Sequence, residues 1–265
     1  MRNVWSVSEH CTRTNGTGFL WERHMTGEEN DAAPVPGLTD IWEEQKGMIN
    51  ERYLTFALAK GRLANKTLEL FEHMGITCEE MKDKKTRKLI FVNQERKLRF
   101  FLAKGPDVPT YVEYGAADIG VAGSDTILEE NRNVYEVLDL GFGKCRMCVC
   151  GPESARELLQ HHERIRVASK YPNIAKDYFY NKKHQTVDII KLNGSVELGP
   201  LVGLSEVIVD IVETGSTLKE NGLQVLEEVR PLSARMIVNP VSMQMDRERI
   251  REIVVGLRRE MAANN

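Results

Sequence analysis

The chain has 265 residues, 42% of them hydrophobic and 28% charged, enough to bury one substantial core or two modest ones. Lys and Arg number 36 against 39 Asp and Glu, and the formal charge of -3 offers no global field to gather nucleic acid or an anionic membrane. No run approaches the roughly 18 apolar residues of a membrane helix, and Met1–Leu20 carries Glu9, His10 and Arg13 where a secretory signal would be apolar, so a cytoplasmic location is expected.

Residues 1–47 show neither helical nor strand period and carry Gly, Asn, Pro and Glu throughout, which predicts a poorly ordered leader. Met48 opens a clean pattern, and one hypothesis has translation starting there. YLTFALA (53–59) reads as a buried strand, and Ala64–Met74 has apolar residues at helical spacing before Gly75. KLIFVN and LRFFLA follow as strands, then a helix with Pro109 in its first turn ending near Tyr114, then the strand DIGVAG. After Val137–Leu140 come a strand at Cys145–Cys150, a helix Glu153–Gln160, RVAS, a helix Ile174–Tyr180, VDIIKL, EVIVDIV and a helix after Ser216. SARMIVN (233–239) and a helix Arg247–Met261 close the chain.

This alternation predicts an α/β fold with largely parallel sheets covered by helices. The last strand is expected to rejoin the first sheet. That gives one lobe from 48–143 plus 231–265 and another from 144–230, with a ligand cleft between them. The five cysteines do not form a disulfide framework, and KCRMCVC reads as core thiols on a strand rather than a metal knuckle.

Chemistry concentrates in Glu206–Leu223. An apolar strand runs into Asp210 and Glu213, then into Thr214, Gly215, Ser216 and Thr217 ahead of a helix. Glycine lets the backbone turn its N–H groups inward, the hydroxyls add donors and the helix start is positive, so one phosphate fits there. The Lys of a nucleotide P-loop is missing, and two upstream carboxylates suit sugar hydroxyls better than a triphosphate. Phosphate plus diol describes a ribose 5-phosphate; a capped helix with solvated acids is the structural alternative. ALAKGRL (57–63) places Lys60 and Arg62 after the first strand, at the sheet edge where open α/β folds bind ligands, although a solvated surface turn would look the same. Lys104 precedes the helix opened by Asp107 and Pro109. Asp125 ends GVAGSD as either a helix cap or a ligand contact.

Taken together, ALAKGRL, DVPTYVEYGAADIGVAGSD, DLGFGKCR, ASKYPN, NGSVELGPLVGL, VDIVETGSTL and SARMIVN resemble, in order, the ATP phosphoribosyltransferase family. The resemblance implies a two-lobed fold like that of periplasmic binding proteins. It also implies a magnesium-dependent displacement in which an adenine nitrogen of ATP attacks the anomeric carbon of phosphoribosyl pyrophosphate and pyrophosphate leaves. Thr214, Gly215, Ser216, Thr217 and Leu218 would cradle the 5-phosphate, with Asp210 and Glu213 facing the ribose. Lys60, Arg62 and Lys104 would meet phosphate oxygens, and Lys170, Tyr171 and Glu197 would line the cleft.

Ser216 and Ser124 stand where many members carry a cation, which implies weaker substrate holding. From Met48 the length matches the short form. The resemblance there implies self-association and a separate regulatory subunit similar to histidyl-tRNA synthetase, which senses histidine. A solute-binding module of the same fold, or a phosphoribosyltransferase for a free nucleobase, are the rival readings.

Overall fold

The computed structural model describes residues 52–81 and 86–263; the expected leader, 1–47, lies outside them. β1 (Leu54–Ala59) is buried along its whole length, as an unbroken apolar run requires. It feeds α1 (Arg62–His73), which presses Ala64, Thr67 and Phe71 inward. β2 (Ile90–Asn93) and β3 (Leu98–Ala103) pair antiparallel. α2 (Val108–Glu113), β4 (Ile119–Gly123), α3 (Ser124–Glu130) and β5 (Tyr135–Asp139) complete this half.

The second half runs through β6 (Cys145–Gly151), α4 (Ala155–Gln160), β7 (Ile165–Ser169), α5 (Pro172–Lys176) and β8 (Val187–Lys191). It continues with α6 (Leu198–Leu201), β9 (Val207–Val212), α7 (Ser216–Glu220) and β10 (Gln224–Leu232). β11 (Ala234–Val238), α8 (Pro240–Met245) and α9 (Arg247–Ala263) end the chain.

These strands make two sheets, ordered β2-β3-β1-β4-β11-β5 and β10-β6-β9-β7-β8. Sequence patterning predicts largely parallel sheets, yet only four of the nine pairings are parallel. A parallel run sits in each sheet, β3-β1-β4 and β9-β7-β8, beside antiparallel partners. Apolar content reports burial, not strand direction, which is why the pattern overstates the parallel share. β10 was not expected at all. Glu227, Glu228, Arg230 and Pro231 obscure its strand period, and it tolerates them as an edge strand with two bulges. The helix expected at Ile174–Tyr180 is α5 followed by a π-helical turn, Asp177–Lys182.

Each sheet builds its own core. In the first, Phe56 stacks on Phe100 at 5.1 Å between ring centres and meets Phe71 edge-on at 5.3 Å. In the second, Met147 and Val149 face one layer while Cys148 and Cys150 face the other with Ile208 and Val212. Burial pushes the Cys150 thiol up to about 12, so it is an inert core group. At the amino edge of the first sheet, buried Asp118 and Asp246 both pair with Arg52, and Asp118 also accepts the Thr55 N–H (2.7 Å) and the Ser242 hydroxyl (2.6 Å). That network clamps α8 and α9 to the end of β1 remote from Lys60.

Candidate active site

The register of β1 against β3 places Ala59 beside Ala103, so Lys60 and Lys104 leave the sheet as neighbours, and the Lys60 N–H donates to the Ala103 carbonyl (2.9 Å). Both side chains are exposed and have no ion-pair partner among the described residues. Ser124 and Asp125 leave the same edge after β4. On the second sheet the parallel strands β7 and β9 end in Lys170–Tyr171 and in Glu213–Thr214. Open α/β sheets bind ligands at such carboxyl edges, where strands end and loops are free to vary.

The two edges meet. Arg62 forks onto Glu213, with Nη1 donating to Oε1 (3.3 Å) and Nη2 to Oε2 (3.1 Å), although the residues lie 151 apart in sequence. This hydrogen-bonded pair raises the Arg62 pKa and lowers that of Glu213. Arg62 is thus tied to a carboxylate instead of standing ready for phosphate. The half-buried Cys145 thiol is held up by burial and then by the charges of Asp125 and Glu213. The Tyr171 hydroxyl is raised by burial and by the negative charges of Asp125 and Asp210. The Lys170 ammonium lies 5.8 Å from the centre of the Tyr171 ring.

Asp210 points to the Cys148 face of β9, half-buried. Burial raises its pKa and Glu197 adds to this, while the Ile211 N–H and Lys170 oppose it. Beyond it, Gly215 adopts φ 77°, the left-handed conformation that glycine takes without steric cost. The Thr214 hydroxyl lies 3.1 Å from that of Ser216 and 3.4 Å from the Ser216 N–H. Thr214, Ser216 and Thr217 are exposed, whereas the Leu218 side chain is buried in the core, leaving only its backbone for a ligand.

Of the residues expected from sequence, the structure therefore brings Arg62, Glu213, Tyr171, Asp210, Glu197 and Lys170 into one electrostatic group. Lys60 and Lys104 share an edge but make no side-chain hydrogen bond or ion pair with these among the described residues. Asp125 and Cys145 join the group as well. Asp125 was legible in sequence only as a cap or a contact, and the strand period of Cys145 gave no hint of its charged neighbours.

These features define a class first: a two-lobed α/β protein whose strand ends bring acids, cations and a hydroxyl-rich turn together. A family model described as HisG, ATP phosphoribosyltransferase, matches residues 104–259. The ATP phosphoribosyltransferase of Lachnospira eligens is 76% identical over 203 residues, spanning 77% of this chain and 94% of that protein. A chain of the ATP phosphoribosyl transferase (HisG:HisZ) complex from Thermotoga maritima superposes with a TM-score of 0.67 at 33% identity, covering 79% of this chain and 99% of its own. The VFT2 domain of BvgS from Bordetella pertussis, 10% identical, matches with a TM-score of 0.51 over 84% of this chain and 92% of its own, a likeness of fold alone. The chain belongs to the ATP phosphoribosyltransferase family.

Proposed function

We infer that this chain transfers the phosphoribosyl group of phosphoribosyl pyrophosphate to ATP, giving phosphoribosyl-ATP and pyrophosphate in the first step of histidine biosynthesis. The observation that carries this reading is the end of β9. There one strand delivers half-buried Asp210, then Glu213, then the hydroxyl-rich Thr214–Thr217 turn, to an edge lined by cations.

In this mechanism the turn holds the 5-phosphate through the Thr214, Ser216 and Thr217 hydroxyls and the backbone N–H groups up to Leu218. Asp210, with Glu213 and Glu197 nearby, faces the ribose. As the bond from the anomeric carbon to pyrophosphate breaks, its electron pair leaves with the oxygen and the sugar ring gains positive charge, which those carboxylates stabilise. Lys60, Lys104 and Lys170 offset the negative charge growing on phosphate oxygens. Arg62 joins them once substrate competes it away from Glu213. A ring nitrogen of adenine then forms the new bond. No covalent nucleophile is needed, so alignment of two anions is most of the task.

Among the described residues no three His, Cys, Asp or Glu groups converge on one cation position. Magnesium in its usual nucleotide mode needs only one or two carboxylates together with substrate phosphates, and Glu197, whose charge reaches Asp210, would supply one. When bound it would neutralise pyrophosphate oxygens. We also propose a cytoplasmic location and a regulatory subunit similar to histidyl-tRNA synthetase. Supporting the second is the match across almost the full length of a chain from the Thermotoga maritima HisG:HisZ complex.

Pyrophosphate release and adduct absorbance with ATP, phosphoribosyl pyrophosphate and magnesium, with and without that subunit, test this reading. Turnover requiring both substrates supports it. Thr214→Ala should raise KM for phosphoribosyl pyrophosphate by about tenfold or more, the loss of one hydrogen bond to a charged group. Absence of turnover in every combination overturns it.

A further inference from the structure

α3 follows β4 of the first sheet, yet its far end serves the second lobe. Leu128 packs against the core built around Val167 and Ile174. The Glu129 carboxylate accepts the backbone N–H of Asn173 (3.0 and 3.2 Å) and of Ile174 (3.1 Å), and the Glu129 carbonyl accepts the Asn173 side-chain amide (2.8 Å). Those N–H groups belong to the first turn of α5, where a helix supplies them no internal partner, and the residue preceding that helix, Tyr171, offers no side-chain cap.

α5 starts directly after Lys170 and Tyr171, two residues placed at the active site. Their turn is held from its own sheet by Ser169, whose hydroxyl donates to the Val209 carbonyl (2.6 Å) and accepts the Tyr171 N–H (2.8 Å). From the other sheet it is held by α3, through Glu129. Glu129 takes the start of α5, while Asp125, one helical turn earlier on α3, raises the Tyr171 pKa with its negative charge. Ser169 ties the turn to its own sheet, and α3, which starts at the strand end that carries Asp125, ties it to the first sheet.

We propose that Glu129 is a positioning residue for phosphoribosyl transfer. By gripping the start of α5 across the two sheets it sets where Lys170 and Tyr171 stand relative to the first-lobe edge that carries Asp125 and Lys60. The proposal rests on the reading above, in which Lys170 and Tyr171 face substrate. Glu129 itself touches no reacting group. A lost anchor therefore shows in the alignment of bound substrates rather than in their capture.

Full-length Glu129→Gln and Glu129→Ala, assayed with both substrates and magnesium beside thermal melting, test it. Glutamine keeps the shape but turns one acceptor into an N–H donor facing other N–H groups. The expected result is kcat reduced on the order of ten- to a hundredfold, with KM for each substrate changed by less than about threefold and the melting midpoint little moved. If alanine prevents folding, the glutamine variant decides. Folded Glu129→Gln with wild-type kcat, or with a loss confined to KM, overturns the proposal. Thr214→Ala in the same assay separates the two ideas. If it too is silent, the site reading falls and takes this one with it; if it raises KM while Glu129→Gln is silent, only the positioning role falls.

Discussion

Asp210 sets chemistry against stability within one side chain. Burial and the neighbouring Glu197 raise its pKa above that of an unfolded Asp, so the fold favours the protonated form. As pH rises from the unfolded Asp value through the raised value, ionisation costs the native state free energy, and that cost is complete above the raised value. Asp210→Asn should therefore melt higher than wild type at pH 7, with the advantage vanishing below the ordinary Asp pKa, while turnover falls on the order of a hundredfold. Melting curves at two pH values and a rate assay check both halves. Glu213 is the opposite case. Its pKa is lowered by Arg62, so the pair persists above the usual Glu range and is lost as pH falls through the lowered value. Both partners are exposed, and salt should weaken the pair. Glu213→Gln should raise KM for phosphoribosyl pyrophosphate and leave KM for ATP nearly unchanged, because it removes the charge and one acceptor oxygen facing the ribose while loosening Arg62. The acids themselves were legible from a strand that runs into them and then into TGST. Their opposite pKa shifts were not, since Glu197, Lys170 and Arg62 approach from other elements.

The β9–α7 connection is where an element becomes a site. Gly215 at φ 77° closes the turn, and a side chain there would enter a conformation costing roughly 1–2 kcal/mol. Gly215→Ala should thus lower stability by about that amount and, on the proposed reading, raise KM for phosphoribosyl pyrophosphate by about tenfold, because relaxing the strain moves the turn's N–H groups away from the phosphate. Substrate titrations beside urea melts distinguish these effects. α7 has only five residues, so its buried Leu218, not its own hydrogen bonds, keeps it in place. Gly, Ser and Thr at fixed spacing made this turn visible in sequence. By contrast β10 escaped notice. Glu227, Glu228, Arg230 and Pro231 break the apolar alternation that marks a strand, and only pairing to β6 gives the segment its shape.

For the molecule as a whole, each sheet carries its own core, and the site depends on both. Phe100→Ala should cost about 3–5 kcal/mol by opening a cavity between Phe56 and Phe71 in the first lobe. Below its melting transition the variant should keep wild-type KM values, because that core lies away from the strand ends. Urea unfolding and kinetics at low temperature check this. The sequence by itself determined the alternating α/β elements, the buried β1 and β9, the acids ahead of a hydroxyl-rich glycine turn and the family, because each is a short-range pattern of apolar period, glycine and hydroxyls. Tertiary structure alone decided strand direction, the edge role of β10, the Arg62–Glu213 pair and the grip of α3 on α5. Those depend on which chain segments meet across more than a hundred residues in some cases, and no local periodicity encodes a partner's distance or charge.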